Sequence, residues 1–140
     1  MPNLQKLLTW FNVDLGLLFL RTSASILLLA VHGWPKIINY TSQLQLIEDP
    51  LKIGRWFSLD FAIFAEVICP ILMIVGIATR LAALPILIII VMAVAIVHPD
   101  WSLAEGQFAW MLLIIFATVA IAGPGKYALS KAVIKRQSGR

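Results

Sequence analysis

The sequence predicts an all-α integral membrane protein, a four-helix bundle with the N- and C-termini both cytoplasmic. Three observations carry that fold class. Hydrophobic residues make up 61% of the chain and charged ones 13%, against ~45–50% and ~25% in a soluble domain. A water-facing shell cannot be built from so few charges. Four apolar runs, at 15–31, 61–79, 81–97 and 108–123, are each close to the ~20 residues that cross a hydrocarbon core. The basic residues collect after the last run, where Lys126, Lys131, Lys135, Arg136 and Arg140 follow one another without an acidic residue.

At 140 residues the chain suits one domain. It divides into an interfacial segment (1–14), a four-helix domain (15–125) and a basic cytoplasmic tail (126–140). In the first segment Leu4, Leu7, Leu8 and Phe11 recur at helical spacing, as in a helix lying in the interface. No small-residue cleavage site follows the first apolar run, which therefore reads as an uncleaved anchor. Trp34, Trp56, Trp101 and Trp110 stand at run ends, where amphipathic rings settle at a membrane surface. Pro85 is placed in the first turn of the third run, where its missing N–H costs little. Pro70, inside the second run, frees a backbone carbonyl and predicts a kink.

Between the runs, residues 32–60 form a long polar segment with Glu48, Asp49 and Lys52, and Pro35 bends the chain before Lys36. Thr79-Arg80 makes a minimal turn, so the second and third helices pair as an antiparallel hairpin. Gly123-Pro124-Gly125 ends the fourth helix. The bias of basic residues toward the cytoplasm puts the tail inside, and four spans return the N-terminus to the same side. The net charge of +4 resides largely in that tail, which suits anionic lipid rather than nucleic acid. A single cysteine, Cys69, excludes an intrachain disulfide or a C-x-x-C pair.

Polar residues within spans are expensive and mark function or a buried pairing. Arg21, Ser25, His32 and Lys36 fall within roughly a sixth of the first helix's circumference at ~100° per residue. Glu66, Cys69, Met73 and Arg80 share a face of the second helix, and Gln107, Met111 and Thr118 one of the fourth. His98 ends the third, with Ala95 a turn below it as a point of close approach. Antiparallel spans bring His32, Lys36, Glu66 and His98 to one level near the outer face. Arg21 lies ~10 Å deeper at ~1.5 Å rise per residue, too far for a direct contact with Glu66.

Plainer readings stand beside these. Glu66 donates one hydrogen bond to backbone freed by Pro70, His32 and His98 bind the last carbonyls of their helices, and Arg21 snorkels to headgroups. Cys69 is a small buried hydrophobe. Two histidines and one carboxylate at one level suffice on paper for a metal or haem, but no local ligand spacing supports one and no metal is assigned.

Taken together, Arg21, His32-Gly33, Lys36, Glu66, Gly76-Ile77-Ala78-Thr79-Arg80, His98 and Gly123-Pro124-Gly125-Lys126-Tyr127 resemble, in order and spacing, the DoxX family of small bacterial membrane proteins. The resemblance runs from Leu17 to Leu129. One departure is Ser130 after Leu129, where the family often carries an aspartate. The resemblance implies a multi-pass protein of the bacterial inner membrane. It also implies links to quinone or thiol stress, to a subunit similar to one of a thiosulfate:quinone oxidoreductase, and to larger membrane complexes.

On that footing the chain is expected to be a quinone-associated redox or stress-response subunit working with other membrane or redox proteins. His32, Glu66 and His98 form its catalytic cluster, and Arg21, His32, Lys36, Glu66 and His98 its quinone pocket. A quinone head group needs hydrogen-bond partners at two oxygens and a source of protons, which imidazole, ammonium and carboxylate groups supply. Two other classes remain open: an assembly subunit whose polar stripes join helices, and a small-solute carrier with Glu66 as proton-coupling group. The predicted sidedness is checked by reporter fusions: green fluorescent protein at the C-terminus fluoresces and alkaline phosphatase there is inactive, whereas the phosphatase inserted near residue 50 is active.

Overall fold

The computed structural model describes residues 12–131. The interfacial segment up to residue 11 and the end of the basic tail lie outside the described residues. Within them the chain is helical with no strand. The elements are α1 (Val13–Ile38), α2 (Tyr40–Leu46), α3 (Arg55–Val75), α4 (Thr79–Val97) and α5 (Leu103–Ala122). All but α2 are long and apolar enough to span a membrane.

The helix ends follow local chemistry. Asn12 caps α1 by accepting the N–H of Leu15 at 3.0 Å. Ser102 and Glu105 form a reciprocal capping box on α5. Gly76 stops α3 at φ 83°, a left-handed conformation that costs glycine little, and both Gly76 and Ile77 donate to the Leu72 carbonyl.

Several boundaries differ from the sequence reading. α1 runs on through Pro35 to Ile38, and α2 occupies part of the expected loop. α3 starts at Arg55, ahead of the apolar run, because Leu59 and Ala62 turn inward and bury completely or nearly so. α4 begins at Thr79, so Pro85 lies inside the helix rather than in its first turn, and Arg80 belongs to α4 rather than to the face of α3.

The core runs along the bundle axis. Ala24 and Leu28 of α1 meet Cys69 and Met73 of α3, Ala82, Ala83, Ile86 and Ile90 of α4, and Leu112, Phe116 and Val119 of α5. Alanines at three of these contacts let backbones approach closely, which matters where lipid supplies no hydrophobic drive between helices. The outward faces are apolar instead, with Phe19, Leu81, Ile114 and Ile121 all well exposed. The expected polar face of α5 points the same way: Gln107, Met111 and Thr118 are exposed, and the Thr118 hydroxyl returns to the Ile114 carbonyl at 2.7 Å. Ala95 is likewise exposed and makes no close approach beneath His98.

Both ends of the described chain meet at one end of the bundle. Asp14 accepts the backbone N–H of Lys126 at 2.8 Å, with the Lys126 ammonium 3.8 Å from the same carboxylate. Arg80 reaches the Ile121 carbonyl at 3.2 Å, where α5 ends. Between them Arg21 is fully buried and does not snorkel. Its guanidinium donates to the carbonyls of Met73 and Ile74 at the end of α3 and of Tyr127 in the segment after α5. The Ser130 N–H closes the same junction on the Gly76 carbonyl. A planar group with five donors can serve several carbonyls at once, which an ammonium cannot. Arg21→Met strands these acceptors and is expected to lower stability by about 3 kcal/mol, with Arg21→Lys recovering only part, measured by unfolding in detergent.

Candidate functional site

At the opposite end three spans contain a π-turn, a single wide turn with one extra residue. They cover Leu29–Gly33 in α1, Phe64–Ile68 in α3 and Ala93–Val97 in α4. His32 and Glu66 lie within two of them, and His98 follows the third, its N–H donating to the Ala93 carbonyl at 2.9 Å. Such turns are rare and recur at functional sites.

The prolines explain two of these turns. Proline removes the N–H that would bond four residues back. For Pro35 that acceptor belongs to Val31 and for Pro70 to Glu66, both inside the preceding π-turn. The wider register carries the helix past each proline, so Pro70 is accommodated by a π-turn and Pro35 does not break α1.

Gly33 is where α1 and α3 touch. A Cβ there would overlap the Glu66 carbonyl oxygen and stand 2.8 Å from the Val67 side chain. This approach brings the Lys36 ammonium to the Glu66 carboxylate at 2.5 Å, with side chains only 15% and 10% exposed. Lys36 also donates to the His32 carbonyl at 3.2 Å. Glu66 thus accepts from a cation, where a hydrogen bond donated to backbone freed by Pro70 was one expectation. Arg21 and Glu66 do not meet.

Two cavities flank the pair. The larger, about 520 Å³, has apolar walls from Phe57 and Phe61 of α3 and Ile88 and Met92 of α4, with Lys36, Ser58, Glu66 and His98 as polar groups. The smaller, about 270 Å³, lies between α1, α3, α4 and α5 and takes in His32, Glu66, His98, Trp101, Glu105 and Phe108. Glu66 and His98 line both, Lys36 only the larger and His32 only the smaller. Both imidazoles are held by aromatic rings: His32 stacks on Phe108 at 5.7 Å, and His98 on Trp101 at 3.9 Å with planes 7° apart.

The segment from Leu46 to Ile53 roofs the larger cavity. Asp49 shapes that roof by accepting from the N–H groups of Ile53 and Gly54 and the Ser58 hydroxyl at 2.8–3.1 Å. Desolvation pushes the Asp49 carboxyl up, but these donors and Arg55 outweigh it and hold the group below its ordinary value.

Of the residues singled out from sequence, His32, Lys36, Glu66 and His98 come together. Arg21 does not: it lines neither cavity and is spent on carbonyls at the other end. Trp101, Glu105 and Phe108 escaped sequence reasoning as site residues, and so did the roof. Their signal was an aromatic or acidic residue near a helix start, which reads equally well as an interface anchor or a cap. Among the described residues no group of three His, Cys, Asp or Glu side chains is arranged to hold a metal ion.

A sequence profile of the DoxX family matches residues 16–99, more than half the chain. The chain belongs to the DoxX family. The match takes in α1, α3 and α4, with Arg21, His32, Lys36, Glu66 and His98, and stops before α5 and the Gly123–Tyr127 stretch. No curated protein and no solved structure matches this DoxX protein.

Three outcomes are expected. Glu66→Ala leaves Lys36 buried without a counter-charge and lowers detergent-unfolding stability by about 3–5 kcal/mol, whereas the double change Lys36→Met with Glu66→Leu restores most of it. Gly33→Ala forces α1 from α3 and costs about 1–3 kcal/mol by the same measurement. Because Asp49 is depressed in the folded state, its contribution to the roof is present above the unfolded value of ~3.9 and is lost as pH falls through the folded one. Acid therefore loosens residues 46–54 before the bundle, which hydrogen exchange of the Ile53 and Gly54 amides reads directly.

Proposed function

We propose that the protein binds a quinone in the larger cavity and serves as a redox or stress-response subunit of a membrane complex. The observation that carries this reading is one wall of that cavity. A buried Lys36–Glu66 pair and His98 stand together beside apolar walls within a belt of π-turns.

The residues fit such a ligand. A volume of about 520 Å³ lies within the ~300–1,000 Å³ of small-molecule sites that are mainly apolar with few convergent polar groups. Lys36 is a donor and fixed positive charge for a ligand oxygen, and His98 or Ser58 can serve a second. Glu66, paired with the Lys36 ammonium, offers a carboxylate that can exchange a proton with a ligand oxygen. A bound quinone would supply the two-electron chemistry, with electrons from a partner or the quinone pool. The setting is the inner membrane of a bacterium, the basic tail facing the cytoplasm and the cavities opening toward the outer side.

A second reading, an assembly subunit without its own reaction, draws support from the roof. Leu46, Leu51, Trp56 and Phe57 are each more than half exposed there, as on a surface a partner covers.

The deciding experiment is titration of a short-chain ubiquinone analogue into the purified protein in nanodiscs, followed by tryptophan quenching. Binding is expected to weaken at least tenfold in Lys36→Met and in Glu66→Gln, equivalent to about 1.4 kcal/mol, and to be unchanged in Arg21→Lys. Unaltered affinity in Lys36→Met, Glu66→Gln and His98→Ala would sink the quinone reading in favour of the assembly role.

A further inference from the structure

The two cavities divide the chemistry around Glu66 unequally. Both are walled mainly by apolar side chains, but the larger adds Lys36 and Glu48 to Glu66 and His98, whereas the smaller joins them to groups from the two remaining directions. These are His32 of α1 and Glu105 of α5, with Glu66 of α3 and His98 just beyond α4. Glu66 lines both spaces, and its neighbour His32 is absent from the larger one. A volume of about 270 Å³ has room for several waters at ~30 Å³ each, and these four groups supply the polar partners that buried water requires.

We propose that the smaller cavity is an aqueous proton inlet that recharges Glu66 from the Glu105 rim. The proposal rests on the larger cavity being the ligand site, and it names how that site is supplied. Glu105 is exposed at the start of α5, one carboxylate oxygen engaged by Ser102. A proton entering from solvent at this rim passes over water and the His32 and His98 imidazoles to a carboxylate oxygen of Glu66. When Glu66 gives that proton to a ligand atom in the larger cavity, it returns to the carboxylate form beside Lys36. Each proton so delivered accompanies one electron that the ligand receives from a redox partner or the quinone pool, so the ligand gains hydrogen without net charge, and the next proton enters by the same path.

Fixed rings suit this task. His32 stacked on Phe108 and His98 on Trp101 keep two imidazoles in place beside Glu66. An imidazole accepts a proton at one nitrogen while releasing another from the second. The charged and titratable groups around Glu66 are Lys36 and His32 on α1, His98 on α4, Glu105 on α5 and Glu48 on the roof.

Cysteine accessibility tests the inlet without requiring a ligand. In a Cys69→Ala background, Ala109→Cys places a thiol in the smaller cavity only and Met92→Cys in the larger only, both at half-buried positions. In nanodiscs, a small charged methanethiosulfonate is expected to react at least tenfold faster at position 109 than at 92. A rate at 109 no faster than at 92, including no reaction at either, overturns the inlet. Ala109→Phe, which fills the smaller cavity, is expected to slow the infrared response of the Glu66 carboxyl to a pH jump at least tenfold, the band being identified by its loss in Glu66→Gln. An unchanged response overturns the proposal. Failure of the quinone reading shows separately, as absence of ubiquinone-analogue binding while both of these results stand.

Discussion

Inside a bilayer no water is available to satisfy a backbone carbonyl, so each polar group must find its partner within the protein. The two ends of this bundle meet that constraint in different ways. At one end Arg21 takes up carbonyls where α3 ends and where the chain leaves α5. Its fork of donors, not a countercharge, makes burial tolerable. A compact junction results, in which a side chain at Gly76 would run into Ala128.

At the other end the same constraint is met by changing the helices. Three π-turns absorb an extra residue each, and two of them carry their helices past prolines. Widening a turn loosens the local ladder and redirects the side chains beyond it. Beyond the widened turn of α1, Lys36 meets Glu66 of α3, the helix whose far end Arg21 serves. Packing is therefore tight at the Arg21 end and open at the Lys36 end, where the cavities lie. The Arg21 junction and the cavities lie at opposite ends of one bundle, far enough apart for the effects of changes at the two ends to add.

The buried ion pair links these themes. An ammonium and a carboxylate withdrawn from water contribute little net stability, yet removal of one leaves the other stranded. Such a pair is an inefficient way to join two helices that already meet at Gly33. It does hold a carboxylate and an ammonium at fixed positions beside a mainly apolar cavity.

Composition, four runs of spanning length and the basic tail determined the fold class and the number of spans, because bilayer thickness leaves few other ways to bury so much apolar chain. The meeting of His32, Lys36, Glu66 and His98 was legible too, since antiparallel spans fix depth from residue position alone. The π-turns were not. A regular period of ~3.6 residues placed Arg21 and Lys36 on one stripe, and both do reach α3, Arg21 at its last carbonyls and Lys36 at Glu66, but the widened turn between them, beside Pro35 and the contact at Gly33, has no periodic signature. The partners of Arg21 were equally hidden, because backbone carbonyls carry no sequence signature and every residue offers one. Tertiary structure alone decided which carbonyls came within reach, and with them which polar residue holds one end of the bundle together and which ones face a cavity.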